Sequence, residues 1–171
     1  CTGFHGLSAL GLSDLEQGWQ RYPQARQRHL RPLPRLREGQ ALAALGLPFA
    51  MADSSDGLAD ACLKIAGASG VRLVVERAAL PVHQELLAYA GANGCEPDGL
   101  LLYGGEDFEL VATLPAAAWE ALPHDAKAAF TPIGRVEAGP GDAWLVGEGG
   151  RLSEAMDLDK AFRHFGSGEG P

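Results

Sequence analysis

The sequence predicts a mixed α+β sandwich, and three observations carry that prediction. Apolar periodicity switches repeatedly between helical and strand spacing, so helices and strands alternate along the chain. Two late strand-like runs, "FTPIGRVE" and "AWLVG", follow one another with no helix between them, unlike a doubly wound parallel sheet. Neither a GxGxxG fingerprint nor a P-loop lysine motif occurs, so the two common nucleotide folds lack support.

In chain order, Ser8 to Leu15 is helical in character, with Ser13 as a possible cap. "RYPQARQRHLRPLPRLR", Arg21 to Arg37, holds much of the positive charge, and Pro32 and Pro34 exclude a regular helix there. It reads as a connector whose arginines offset an acidic remainder, or as an anion site. "EGQALAALGL" predicts a short helix closed by Gly46. "PFAMA" predicts a strand and "DGLADACLKIAGASG" a helix burying Leu58, Cys62 and Ile65, ended by Gly67 or Gly70. "VRLVVE" alternates like a half-buried strand, and "PVHQELLAYAGANG" predicts a helix from Pro81. "GLLLYGGEDFELVATL" reads as two strand-like runs around "GGED", with Phe108, Leu110 and Ala112 on one face and Glu109 and Val111 on the other. "AAAWEAL" predicts a short helix, and "EAMDLDKAFRHFG" a helical or irregular tail.

The 171 residues suit one domain with a real core. No apolar run approaches the roughly 20 residues of a membrane span, and no signal-peptide pattern opens the chain. The first residue is not Met, which predicts a start inside a longer polypeptide. A formal charge of -8 argues against nucleic acid or an anionic membrane as partner. Cys1, Cys62 and Cys95 are odd in number and widely spaced, which predicts reduced thiols in the cytoplasm rather than zinc or disulfides.

Two acidic constellations could carry chemistry. In "MADSSDGL", Asp53 and Asp56 flank Ser55 at a strand-to-helix junction, where free helix N–H groups favour a nearby anion. Mg²⁺ is commonly held by one or two carboxylates while phosphate completes its shell. Helix capping by Ser55 or Asp56 is the plainer reading, but it does not use both aspartates and the serine. In "YGGEDFEL", Gly104 and Gly105 allow close backbone approach, and Glu106 and Asp107 stand at the tip. That tip is either a solvated acidic turn or a carboxylate facing a cationic ligand.

Taken together, "TGFHGLSALGL", "RHLRPLPRLREGQAL", "DSSDGLADACLKIA", "LLYGGEDFELVATLP", "IGRV" and "AFRHFG" resemble the thiamine-monophosphate kinase family. That family belongs to the aminoimidazole-ribonucleotide synthetase-like superfamily. The resemblance implies a single C-terminal domain over 1–171, with 1–36 as lead-in and connector, 37–171 as main body, and an ATP-binding N-terminal domain outside this chain. It implies phosphoryl transfer from ATP to thiamine monophosphate with Mg²⁺, in a cytoplasmic enzyme that forms a homodimer. By resemblance, Asp53 and Asp56 are Mg²⁺ ligands, Ser55 contacts ATP phosphate, Glu106 meets the thiamine substrate and Phe162 packs on its ring. No catalytic acid or base is implied. Phe162 alone would read as core filler, and His164 as a packed or surface histidine. Departures are mild: Phe108 stands where the family has Tyr, Phe162 where it has Trp or Tyr, and Ser54 where a small apolar residue is usual. Two other expectations compete. One is a superfamily enzyme activating an amide or a selenium compound, and the other a non-catalytic, self-associating module.

Overall fold

The computed structural model describes residues 1–147, 152–157 and 159. Three helices come first: α1 (Leu7–Glu16), α2 (Pro23–Leu30) and α3 (Leu36–Ala44). Then follow β1 (Ala50–Asp53), α4 (Leu58–Ser69), β2 (Val71–Glu76), α5 (Gln84–Asn93) and α6 (Asp98–Tyr103). The chain continues through β3 (Leu110–Thr113), α7 (Ala116–Ala121), α8 (His124–Lys127), β4 (Gly134–Ala138), β5 (Asp142–Val146) and β6 (Leu152–Ala155).

The strands form two sheets among the described residues. β1 and β3 pair antiparallel, with Asp53 opposite Leu110. The second sheet runs β4-β2-β5-β6, with β2 parallel to β5 and antiparallel to β4. This mixture of helices and sheets is the predicted α+β class.

Helix α4 is the central packing element, lying against β1, β2, β5 and α6. Its Leu58, Cys62 and Ile65 are buried as their spacing predicts. Each fully buried leucine of the core, such as Leu58, Leu86, Leu101 and Leu102, contributes about 1.5–3 kcal/mol of apolar burial. Gly70 closes α4 in the left-handed conformation, its N–H reaching Ala66 O.

Several local expectations are overturned. Ser13 lies inside α1, where its hydroxyl donates to Ala9 O at 3.1 Å. The prolines do end helical structure at 31–35, yet Pro23 opens α2 at its first position, where no N–H is needed. β2 is not half-buried, because Leu73, Val74 and Val75 are all enclosed by neighbours on both faces. The helix after it begins at Gln84, since 81–83 stays extended and His83 takes the N-cap position. Leu100 to Tyr103 is helical, so only the run after "GGED" is a strand. Its buried residues are Glu109 and Val111, while Phe108 points outward.

Candidate functional site

Strand β1 delivers Asp53 to its last position, exposed at the sheet end. The next residue turns inward. Ser54 is fully buried; its N–H donates to Glu109 O at 2.9 Å and its hydroxyl accepts the Glu109 N–H at 3.2 Å. One residue on, Ser55 O accepts the Glu106 N–H at 2.6 Å. These bonds fasten "DSSD" to "GGEDFE", so the two acidic constellations lie side by side.

The fastening holds unusual backbone. Glu106 (φ 65°) and Phe108 (φ 53°) adopt left-handed conformations that cost non-glycine residues energy, on the order of 1–3 kcal/mol each. Such conformations persist only where surrounding bonds over-determine them, as the Ser54 and Ser55 bonds do here.

The N-cap position of α4 belongs to Gly57, which has no side chain to offer. The expectation of Ser55 or Asp56 at that position is therefore corrected. Gly57 sits at φ 106°, ψ 165°, a region open to glycine alone. A Cβ there would lie 3.0 Å from Leu102 O. Asp56 instead faces Lys64, whose ammonium lies 3.0 Å from it and 2.6 Å from Asp60. Those bonds, Asp60 first, raise the Lys64 pKa and keep it charged.

Beneath the acidic tip lies a buried ionic network. Glu109 accepts two bonds from the Arg35 guanidinium, from Nε at 2.6 Å and Nη2 at 2.9 Å. It also accepts the Thr2 hydroxyl at 2.6 Å, and Arg28 stands 3.6 Å away. The Arg35 pKa is raised chiefly by its bond to Glu109. Three arginines of the basic segment, Arg26, Arg28 and Arg35, thus serve internal carboxylates, Arg26 lying 3.6 Å from Asp14.

Asp107 does not stand at a solvated tip. It is buried, and its carboxylate receives the N–H of Gly6 (2.5 Å) and of Ser8 (2.8 Å), capping α1 from far along the chain. Burial pushes its pKa up to about 7 despite those bonds. Glu106 remains at the surface edge, 3.6 Å from His29 Nδ1, which also lies 3.0 Å from the Ser8 hydroxyl. Beside Asp53 opens a groove of about 650 Å³ lined by Pro32, Pro34, Leu36, Met51 and Phe108.

The structure therefore sets the loop that carries Asp53, Ser55 and Asp56 beside the loop that carries Glu106. Phe162 lies outside the described residues. Sequence reasoning missed Lys64, Arg35, His29 and the structural use of Glu109. Lys64 carried a signal, being one and two helical turns beyond Asp60 and Asp56. The Arg35–Glu109 pair, 74 residues apart, carried none. Among the described residues no three His, Cys, Asp or Glu side chains converge into a metal cage.

Comparison with known proteins follows the same lines. The thiamine-monophosphate kinase of Synechococcus elongatus is 36% identical over 96% of this chain and 50% of its own length. That of Mycobacterium tuberculosis is 39% identical over 86% of this chain and 42% of its own length. Among solved structures, thiamine monophosphate kinase from Stenotrophomonas maltophilia superposes with TM-score 0.70 at 30% identity, covering 89% of this chain and 49% of that one. A structure described as AaThiL complexed with AMPPCP and TMP gives 0.69 at 31% identity over 91% of this chain and 48% of that one. Hydrogenase maturation protein HypE shares the fold, at TM-score 0.65 and 20% identity. This chain spans about half the length of the curated relatives it matches. Residues 2–146 match the family model described as AIR synthase related protein, C-terminal domain, and the chain belongs to that family.

Proposed function

We propose that the whole protein transfers the γ-phosphoryl group of ATP to thiamine monophosphate, giving thiamine diphosphate. The relatives named above support the reaction, and the relative bound to AMPPCP and TMP supports the ligand pair. The observation that carries it to these residues is the fastening of "DSSD" to "GGED" through Ser55 O and Glu106 N–H.

Asp53 and Asp56 fit Mg²⁺ by donor chemistry, as hard carboxylate oxygens beside a helix whose N-cap is a glycine. When bound, Mg²⁺ neutralises phosphate charge and orients the transferring group. Two carboxylates are a partial set, as expected where phosphates and another domain complete the shell. Asp53 and Asp56 hold the ion, and Ser55 offers its hydroxyl to an ATP phosphate. Lys64 balances Asp56 and Asp60, limiting the repulsion within the acidic loop. Glu106 faces the cationic thiazolium and Phe162 packs on its ring. The chain's charge of -8 favours cation bridging for two anionic substrates. The reaction needs positioning rather than a base, so no general base is assigned.

No helix among the described residues is long and apolar enough to cross a membrane. A cytoplasmic homodimer is the assembly proposed for the whole enzyme. This chain alone, about half the relatives' length, is proposed to be inactive.

The test is ADP release by the complete protein with thiamine monophosphate and Mg²⁺. Asp53→Asn combined with Asp56→Asn should lower kcat by a factor on the order of 100 or more, with folding retained. Undiminished turnover in that variant removes the metal assignment, and no turnover by the unmodified protein removes the substrate assignment.

A further inference from the structure

We propose that His29 is a positioning residue for substrate binding: it steers the Glu106 carboxylate toward a cationic ring and is itself held by Ser8. The inference rests on the reading of Glu106 as the carboxylate that meets the thiazolium. It adds a residue that acts through Glu106 rather than on the substrate.

The last turn of α2 carries Arg28 and His29, and both reach the strip 106–109. Arg28 stands 3.6 Å from Glu109, and His29 Nδ1 stands 3.6 Å from Glu106 Oε2. A second contact fixes the ring. The hydroxyl of Ser8, in the first turn of α1, lies 3.0 Å from the same Nδ1. Ser8 is fully buried, and its N–H donates to Asp107 Oδ1 at 2.8 Å. The contacts therefore close a circuit. Glu106 leads along the chain to Asp107, Asp107 fixes Ser8, Ser8 fixes His29, and His29 returns to Glu106. Gly11 allows α1 and α2 the close approach this needs, since a Cβ there would clash with Ala25 O.

The place of the proton follows from the charges. A lone pair on Nδ1 aimed at a carboxylate would be repelled, so the tautomer bearing Nδ1–H is favoured. That N–H donates to the Ser8 hydroxyl and turns its positive end toward Glu106 as well. At 3.6 Å the second contact is electrostatic and longer than a hydrogen bond. A contact of that length steers a carboxylate and gives way to a shorter one.

Steering matters because of what Glu106 is. Its backbone is pinned, with φ 65° and its N–H on Ser55 O, but a glutamate side chain still rotates beyond Cα. Ordering such a side chain on binding costs affinity, and a contact already made in the unliganded protein removes part of that cost. The Glu106 side chain is 31% exposed and that of His29 only 17%, so a sheltered ring backs a more open carboxylate.

The test is steady-state kinetics on the complete protein, with thiamine monophosphate and ATP varied separately. His29→Leu should raise KM for thiamine monophosphate about tenfold, with kcat within about threefold and KM for ATP within about twofold. His29→Asn should return KM to within about threefold of the parent, because the Asn amide places a donor where Nδ1–H stood. Ser8→Ala removes the ring's anchor with little change of volume, and should raise KM in the same direction by about threefold. Glu106→Gln should raise KM by itself, and adding His29→Leu to it should change KM by less than about twofold, as for coupled residues. Unchanged KM in His29→Leu, with Glu106→Gln impaired, overturns the proposal and leaves the reading of Glu106 standing. Should His29→Leu not fold, unchanged KM in Ser8→Ala has the same force. Unchanged KM in Glu106→Gln overturns that reading and the proposal with it. Equal rises in both KM values, unrescued by Asn, make His29 a folding residue and also overturn the proposal.

Discussion

Three carboxylates in "GGEDFEL" do three different jobs. Glu106 stays at the surface edge beside Ser55, Asp107 caps α1, and Glu109 neutralises arginines in the interior. The environment of each decides its chemistry, and Asp107 gives the clearest consequence. Burial raises its pKa from 3.8 to about 7, so the folded chain keeps a proton that the unfolded chain has already released. Between those values the folded state binds more protons. This residue's contribution to stability is therefore greatest at acid pH, falls as pH rises from about 4 toward 7, and levels off above 7. Denaturant unfolding across that range should show Asp107→Asn losing this slope, and a variant with the parent's slope would refute the assignment. The motif's acidic character was legible in the sequence, as was the neighbourhood of Asp53, Ser55 and Asp56. Which carboxylate turns inward was not. That choice depends on Gly6 and Ser8, about a hundred residues away, presenting two N–H groups to Asp107.

Among the elements, α4 was the most legible, because its apolar stripe and its glycine stop agree with each other. The run "GLLLY" misled, because four apolar residues before a double glycine suit a buried strand and a buried helix equally. The structure makes it α6, where Leu101 and Leu102 enter the core against α4. β2 misled for a related reason: alternation predicts one wet face, but both of its faces are covered. The division into two sheets has no local signal, since it depends on pairing across long separations. The junction of β1 with α4 rests on one local necessity. Gly57 holds a backbone conformation reserved for glycine and passes close to Leu102 O. Gly57→Ala should cost about 1–3 kcal/mol from the backbone alone. It should also shift the turn that carries Asp53 and Asp56. Thermal unfolding of the variant should show a midpoint several degrees lower, and an unchanged midpoint would mean that the turn relaxes without strain.

At the scale of the whole molecule, charge and apolar surface oppose one another. Leu30, Leu33 and Leu36 are 63%, 49% and 69% exposed, and Leu36 lines the groove next to Asp53 together with Met51 and Phe108. A face of this kind favours association. The formal charge of -8 resists it, because two copies brought together repel across a distance of about 10 Å in 0.1 M salt. Raising the salt shortens that distance to about 3 Å at 1 M while leaving apolar burial in place. Association of the 171-residue chain should therefore be weak in dilute buffer and grow with added sodium chloride, opposite to an association held by ion pairs. Light scattering over a concentration series at low and high salt measures this directly. Leu33→Glu with Leu36→Glu places charge on the exposed face without touching the core, and should hold the chain at its monomer mass under both conditions. A parent chain that stays monomeric at every salt concentration would show that repulsion is not what restrains the groove. A double variant that still associates at high salt would place the contact on another face.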